Sequence, residues 1–432
     1  MARNRRSQSA PPQARVLLPL ILALALRLLF ILPALTDPQR LSNISDATEY
    51  VHLAGDLGSA YLDSGSESFE VGLKRTPGYP VFLGVVFAIS NGSEAWSIFI
   101  QVLFSVATVW LTYQLARRMF NERVAILSAF ALAVSPISVL YAGYFQPEAL
   151  FTFLLVAAAL LWVRVLAEPS WWLAGAAGLT WGVAVLMRPI GLYLLFLVVP
   201  VTLALGSQPL RQRIIVCGMI VFGFAIPTGG WIVRNTVATG VPTISTIVGT
   251  NFLEYRAAGA YAAEEGLTRI EARDLLLSEL QAQNDRELNP AERSDLKRSY
   301  GTQILLQHPV GTIKTMIRGA ALMMLGPGRS PLYLRLGKAD PHVADGRMEQ
   351  TLAGLGYVML GIIYAAALVG AVAMWRHRRR ELVVLLTIIV YFLVISSGPE
   401  AWARFRFPMM PFIAILAGFG SERVLRLLGS ED

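Results

Sequence analysis

The stretch VLLPLILALALRLLFILPAL, residues 16–35, decides the class of fold. A helix that crosses the hydrocarbon core of a bilayer needs about 20 predominantly apolar residues, and this stretch has that length. Arg3, Arg5 and Arg6 precede it and no small-residue cleavage site follows it, so we expect a retained anchor rather than a signal peptide. Residues 1–15 are then expected to form a basic cytoplasmic tail.

The composition of the whole chain agrees with a membrane protein. Of its 432 residues, 55% are hydrophobic and 15% are charged, and the mean hydropathy is +0.53. The net charge of +8 comes largely from arginines clustered between apolar stretches, a pattern typical of cytoplasmic loops, and this argues against nucleic-acid binding. The single cysteine, Cys217, has no disulfide partner and the four histidines lack ligand spacing, so we expect no metal and no cofactor.

The other apolar stretches predict an all-α polytopic membrane protein with about ten transmembrane helices and juxtamembrane helices in its extracytoplasmic loops. Stretch 79–90 is too short to cross, and the proline after Arg188 divides 171–205 into two helices. Positive-inside counting supports this topology, because Arg117 and Arg118 then face the cytoplasm. The remaining predicted spans are 16–35, 94–116, 122–143, 147–166, 214–233, 351–375, 381–397 and 408–428.

Three further regions follow the tail in this interpretation. Residues 16–234 form a catalytic transmembrane module that includes a first extracytoplasmic loop, 36–78. Residues 235–350 form a large extracytoplasmic loop, in which leucines at helical spacing predict amphipathic helices. Residues 351–432 hold the C-terminal transmembrane helices.

The first loop carries an acidic candidate, Asp46. Together with Ser45 and Glu49 it also matches a helix-start signature, in which the side chain caps exposed backbone N–H groups. Tyr50 lies four residues further on, on the same helical face. The helix dipole favours an ionised aspartate at this position, and such a residue can serve as a base for an alcohol, so capping and catalysis are compatible.

The same loop ends on two cations, Lys74 and Arg75. They fit two hypotheses, an interfacial pair that contacts lipid headgroups or a phosphate site in which arginine offers a bidentate fork. Arg188 lies between two apolar segments, where an arginine usually faces a cavity or a partner, and Arg27 in the first span invites the same argument.

Glu148 follows Pro147 at the start of a span, either as a helix-start acid or as a second acidic site residue. Arg404 and Arg406 precede the last span on the predicted outer side, which is unusual for arginine and favours a functional role.

These features, in this order, resemble the GT-C glycosyltransferases, especially the branch of protein O-mannosyltransferases, aminoarabinose transferases and galacturonosyltransferases. The resemblance covers most of the chain. It rests on Asp46-Ala47-Thr48-Glu49-Tyr50, Arg75-Thr76-Pro77-Gly78-Tyr79-Pro80, Pro147-Glu148-Ala149-Leu150, Met187-Arg188-Pro189, Trp231-Ile232-Val233-Arg234-Asn235, residues 240–249 and Arg404-Phe405-Arg406-Phe407-Pro408-Met409-Met410-Pro411.

The resemblance implies inverting transfer of a sugar from a polyprenyl-phosphate-linked donor to a hydroxyl of a lipid, glycan or protein, on the extracytoplasmic face of the inner membrane. It implies that Asp46 is the base. Ala47 stands where many members have a second acid, which argues against a metal-bridged carboxylate pair. The residues implied to bind substrate are Tyr50, Lys74, Arg75, Tyr79, Glu148, Arg188, Arg404 and Arg406.

Two hypotheses from other classes share the predicted topology. A lipid or solute transporter or flippase would carry charges along a path at mid-membrane depth and would often show repeated halves. Here the candidate charges gather at one face and the sequence shows no repeat. The second hypothesis is a non-catalytic scaffold of an envelope-assembly complex. Sugar transfer by the purified chain alone would exclude it.

Overall fold

The computed structural model describes residues 15–36, 45–284, 286–326 and 347–429, and within these ranges the chain contains helices and no strands. The predicted cytoplasmic tail, apart from Arg15, lies outside the described residues, as do 37–44 of the first loop and 327–346 of the large loop.

Ten described helices precede residue 188. They are α1 (Leu17–Thr36), α2 (Ser45–Gly55), α3 (Leu57–Leu62), α4 (Ser68–Lys74), α5 (Gly78–Ser90), α6 (Glu94–Met119), α7 (Glu122–Ala133), α8 (Pro136–Leu140), α9 (Glu148–Ala167) and α10 (Trp171–Met187).

The second half of the chain adds ten more described helices, two 3₁₀ segments and one π-helical segment. In order they are the 3₁₀ segment Pro189–Leu194, α11 (Leu195–Leu205), α12 (Leu210–Thr239), α13 (Ile247–Thr250), the π-helical Asn251–Ala257, α14 (Ala258–Glu265), α15 (Arg269–Ala282), α16 (Pro290–Gln307), α17 (Pro309–Leu325), α18 (Arg347–His377), α19 (Arg379–Ile395), the 3₁₀ segment Ala403–Met409 and α20 (Met410–Leu428).

Four described helices are long and apolar enough to cross a membrane. They cover Glu94–Met119, Glu148–Ala167, Leu210–Thr239 and Ala353–His377, which agree with four of the predicted spans. Their length and apolar composition indicate a membrane protein. The total of ten spans stays a prediction, because only these four of the described helices combine the length and the apolar composition that a span needs.

Two breaks in the helices bear on the predictions. The 3₁₀ segment after Arg188 separates α10 from α11, as the proline at 189 predicts. The predicted span over 122–143 stays a prediction and is divided in the structure, because α7 ends at Ala133 and α8 begins at Pro136. A proline disfavours helical geometry in the residue before it. Ser135, which precedes Pro136, accordingly has a non-helical ψ of 119°.

Small residues allow the long helices to approach closely. A side chain at Gly178 of α10 would collide with the backbone of α12 at Ile220, and one at Gly420 of α20 would collide with α18 at Ala366. Membrane helices associate through such small-residue contacts, because lipid supplies no hydrophobic driving force between them. The resulting central cluster includes buried Trp162 and Trp181.

A second buried cluster supports the first-loop helix α2. Ala47 and Tyr50 of α2 pack with Tyr79 of α5, Ile98 of α6 and Phe145. Helix α5 therefore packs against α2, and the interpretation of stretch 79–90 as a juxtamembrane or re-entrant helix rather than a span stays a prediction.

The large loop is helical over α14 to α16. Helices α15 and α16 each begin with a capping box, Thr268 with Glu271 and Asn289 with Glu292. Ala272, Leu276 and Leu280 of α15 are buried. Of the apolar residues at helical spacing in this region, Leu276 and Leu280 are buried, whereas Ile270 and Leu275 are exposed.

Candidate functional site

Helix α2 presents two carboxylates to the end of the first loop. Asp46 lies in the first turn of α2, and Glu49 lies one turn later on the same face. Arg75 contacts both, since its Nη2 donates to Asp46 Oδ1 at 2.8 Å and its Nε donates to Glu49 Oε2 at 2.6 Å. Lys74 Nζ donates to Glu49 Oε1 at 2.5 Å. The two predicted cations are thus paired with α2.

The other oxygen of Asp46 binds an arginine from the far end of the chain. Arg404 Nη2 donates to Asp46 Oδ2 at 2.7 Å. Arg404 Nε also lies 3.9 Å from Glu148 Oε1, and this same oxygen accepts a 2.6 Å hydrogen bond from Arg188 Nη1. The Phe405 ring lies under both guanidiniums, 5.3 Å from Arg404 and 5.5 Å from Arg188.

The result is a continuous run of charges that we call the charge chain: Lys74, Glu49, Arg75, Asp46, Arg404, Glu148 and Arg188. Four cations and three anions leave it with a formal charge of +1. Two of its buried atoms, Arg404 Nε and Glu148 Oε2, make no hydrogen bond. Such atoms are uncommon in proteins and leave polar capacity for a ligand.

The electrostatics hold Asp46 in its ionised form. Burial raises the pKa of this carboxyl group, but the positive charges of Arg404 and Arg75, together with their hydrogen bonds, lower it by more. The pKa of Asp46 therefore lies well below its usual range. Each carboxylate oxygen of Asp46 accepts one hydrogen bond from an arginine, Oδ1 from Arg75 and Oδ2 from Arg404.

Two tyrosines line the same region. The Tyr50 ring lies 5.0 Å from the Arg75 guanidinium carbon and makes an edge-on contact with Tyr79, with 4.9 Å between ring centroids. Tyr79 is fully buried and its hydroxyl donates to Gln101 Oε1 at 2.5 Å. Tyr79 therefore supports Tyr50 from below, and Tyr50 is the tyrosine that contacts the charge chain.

The backbone around Lys74 is fixed by two neighbouring segments. Ser245 Oγ donates to the Lys74 carbonyl at 2.5 Å, and the Thr246 amide donates to the Leu73 carbonyl at 3.0 Å. Gly78 touches the end of α10, since a Cβ there would lie 2.7 Å from the Leu186 carbonyl oxygen. This close approach, which needs glycine, brings the first loop beside Arg188.

Two arginines, Arg406 and Arg234, lie outside the charge chain. Arg406 is buried and its Nη1 donates to the carbonyls of Met323, Met324 and Gly326 at the end of α17. It caps that helix, so the prediction that groups Arg406 with Arg404 is not matched by the geometry. Arg234 donates to the Tyr61 carbonyl and braces α3.

Sequence reasoning missed Glu49 as a site residue. It was interpreted only as part of a capping signature, although its spacing of three residues from Asp46 places both acids on one helical face. Gln101 was missed as well, and its signal was an amide within an otherwise apolar span. Among the described residues, no group of His, Cys, Asp and Glu has the arrangement of a metal site.

The middle of the chain matches a known protein family. Residues 74–231 match the family described as dolichyl-phosphate-mannose-protein mannosyltransferase. These residues are somewhat more than a third of the chain and include Lys74, Arg75, Glu148 and Arg188. No curated protein sequence matches the chain.

Solved structures of low sequence identity share the fold. The archaeal oligosaccharyltransferase AglB from Archaeoglobus fulgidus, in complex with an inhibitory peptide and a dolichol-phosphate, has a TM-score of 0.55 and 15% identity over 97% of this chain and 51% of its own. The apo form of the Archaeoglobus fulgidus oligosaccharyltransferase has a TM-score of 0.56 and 14% identity over 99% and 53%. This chain spans about half the length of both.

A weaker structural match is ArnT from Cupriavidus metallidurans bound to undecaprenyl phosphate, with a TM-score of 0.46 and 15% identity over 96% of this chain and 78% of its own. The assignment of the fold rests on the two archaeal structures, and at these identities the likeness is one of fold. The resemblance seen in the sequence is thereby confirmed: the chain has the fold of the GT-C membrane glycosyltransferases.

Proposed function

We propose that this protein transfers a sugar from a polyprenyl-phosphate-linked donor to an acceptor hydroxyl at the extracytoplasmic face of the membrane, with inversion and with Asp46 as general base. One observation carries the proposal. The carboxylate of Asp46 lies between Arg75 and Arg404, which approach it from the first loop and from the segment before the last helix. A base beside paired cations suits attack by a hydroxyl on a carbon whose leaving group is a phosphate.

The reaction forms one bond and breaks another at the anomeric carbon of the sugar. The acceptor oxygen bonds to this carbon as its proton passes to the Asp46 carboxylate, and the bond from the carbon to the phosphate oxygen breaks. The electron pair leaves with the lipid phosphate, where negative charge grows. Cations placed beside that oxygen stabilise the transition state more than the ground state.

The charge chain provides such cations. Arg75 and Arg404 have guanidinium forks that match a phosphate, and Arg404 Nε makes no hydrogen bond in the protein. Lys74 adds a point charge, and we assign Arg188 and Glu148 to hold Arg404 and the donor in place. Tyr50 offers its ring to the substrate beside Arg75, while Tyr79 supports it.

Ligand exchange links donor binding to base activation. In the unliganded protein Arg75 and Arg404 occupy both oxygens of Asp46 and hold its pKa low. A bound lipid phosphate competes for the same guanidiniums. As they turn toward the phosphate, Asp46 regains basicity, so the base becomes active only when the donor is present.

The donor class is supported by the family match and by the fold. The description of the matched family names dolichyl-phosphate-mannose. The archaeal oligosaccharyltransferase of the same fold is in complex with a dolichol-phosphate. The acceptor is a lipid, a glycan or a protein. The ten-span topology, the inner-membrane location, the cytoplasmic N-terminus and the four-region division stay part of this proposal.

The test is direct transfer in vitro. Full-length protein, purified and placed in lipid nanodiscs, is incubated with a panel of radiolabelled polyprenyl-phosphate sugars and with membrane extracts as acceptor. We expect one label to move to an acceptor and the liberated polyprenyl phosphate to appear in equal amount. Transport of a label across proteoliposomes with no covalent transfer would instead support the transporter hypothesis and contradict the proposal.

A further inference from the structure

Arg27 is a fully buried cation in the middle of α1. Its Nε donates to Ser105 Oγ at 2.8 Å, and its Nη1 donates to the carbonyls of Ala23 at 3.0 Å and Ala133 at 3.2 Å. These bonds connect α1 with α6 and with the end of α7. Among the described residues, no carboxylate lies within ion-pair distance of Arg27, in contrast to Arg188, Arg75 and Arg404 of the charge chain.

The remaining donors of Arg27 have no acceptor. A guanidinium carries five N–H groups, and the three bonds above use one on Nε and two on Nη1. Nη2 is buried and makes no hydrogen bond. Two further donors nearby share this state, since the buried hydroxyls of Ser138 and Thr152 also make no hydrogen bond.

All three residues line one small cavity. It has room, about 10 Å³, for a single water-sized particle. Its walls also include Thr108 and the apolar Leu132, Phe407 and Pro411. The donors that lack a partner therefore line a site of atomic size, together with apolar side chains.

We propose that this cavity binds one monatomic anion, a chloride ion, which compensates the charge of Arg27. A single water would satisfy donors but would leave the guanidinium charge uncompensated in a low-dielectric interior, where an isolated charge is strongly disfavoured. A halide accepts hydrogen bonds from Nη2 and from the two hydroxyls at once. The bound ion holds α1, α8 and α9 against the segment that leads from Arg404 into α20.

The test measures the unfolding temperature of the full-length protein, prepared throughout in gluconate. We expect Tm to rise saturably when chloride or bromide replaces gluconate at constant ionic strength, because the ion binds the folded state. Crystals grown in bromide should show an anomalous peak beside Arg27 Nη2. Equal Tm in gluconate and in both halides would overturn the proposal, and so would a bromide-grown crystal with no anomalous peak in the cavity.

Two variants separate the ion from general packing. Thr152→Val keeps the shape of the side chain but removes one donor, so we expect it to need several-fold more halide for the same shift in Tm. Thr112→Val is the matched control, because the Thr112 hydroxyl donates within its own helix to the Thr108 carbonyl and does not line the cavity. Equal halide dependence of the Thr152 variant and the wild type would contradict the site.

Discussion

Asp46 and Arg404 lie 358 positions apart in the chain, and Arg404 Nη2 donates a 2.7 Å hydrogen bond to Asp46 Oδ2. Arg75 binds the other oxygen at 2.8 Å. The proposed base is thus kept ionised by the same guanidiniums that we assign to the donor phosphate. In the proposed reaction, a phosphate that draws these guanidiniums away frees the carboxylate.

Replacing Asp46 with asparagine should abolish most of the activity without harming the fold. Asparagine cannot accept the proton of the acceptor hydroxyl, and general-base help is worth about 10²–10⁴-fold. We expect a loss of kcat of that size, measured as labelled sugar transferred per enzyme. Asp63→Asn, an exposed substitution in the same loop, is the control and should keep wild-type kcat. Full activity of the Asp46 variant would end the assignment of the base.

Arg404 and Arg406 should respond differently to the same substitution. Arg404→Gln removes a phosphate ligand, so we expect transfer to fall by about 10²–10³-fold, the usual effect of losing one such donor. Its Tm should change little, because Asp46 keeps Arg75. Arg406→Gln should lower Tm, because the carbonyls of Met323, Met324 and Gly326 lose a buried donor.

Thermal unfolding and transfer assays on the same preparations check this contrast. Arg298→Gln, which breaks an exposed pair with Asp295 on its own helix, is the control and should leave both readouts unchanged. If Arg406→Gln lowered transfer while Tm stayed constant, Arg406 would belong with the phosphate ligands after all.

The low pKa of Asp46 predicts how acid affects the protein. The pKa is lower in the folded chain than the value of about 3.9 in an unfolded one, so in that range the unfolded state binds more protons. The stability that the Asp46 ion pairs contribute is therefore present above about pH 4 and is lost as the pH falls toward the folded pKa. Asp46→Asn should show a weaker loss of Tm between about pH 4 and pH 3 than wild type.

The pH profile of catalysis gives a second readout of the same group. For the wild type, kcat/KM should show no acidic limb from Asp46 above about pH 4. Arg75→Gln removes a positive neighbour, so the pKa of Asp46 should rise and an acidic limb should appear at higher pH than in the wild type. An unchanged profile in this variant would show that Arg75 does not control Asp46.

Replacing only one member of the Glu148–Arg188 ion pair should lower the free energy of unfolding. Glu148 is 2% exposed and accepts from Arg188 at 2.6 Å. Glu148→Gln leaves Arg188 without its ion-pair partner, and Arg188→Gln leaves Glu148 with only the more distant Arg404 Nε at 3.9 Å; breaking a buried pair from one side typically costs about 3–5 kcal/mol. The double variant should lose less than the sum of the single losses, as measured by unfolding in denaturant. Additive losses would mean that the two side chains are not coupled.

The sequence alone was sufficient for the helical membrane class. Apolar stretches of about 20 residues predict spans because the bilayer sets the length of a helix, and four of them are found at the predicted positions. Arg188 stood out as a charge between apolar segments, and the resemblance added roles for Asp46, Arg75, Glu148 and Arg404, which stay predictions although the structure brings all five residues into the charge chain.

Only the tertiary structure decided which charges meet. The sequence treats Arg404 and Arg406 alike, but residues two positions apart in a 3₁₀ turn point about 120° away from each other, so Arg404 reaches Asp46 while Arg406 caps α17. It marks Glu49 as a helix-start residue, but folding brings Lys74 and Arg75 to it. Hydropathy is a property of each stretch by itself, whereas ion pairs across 358 positions depend on how the helices pack.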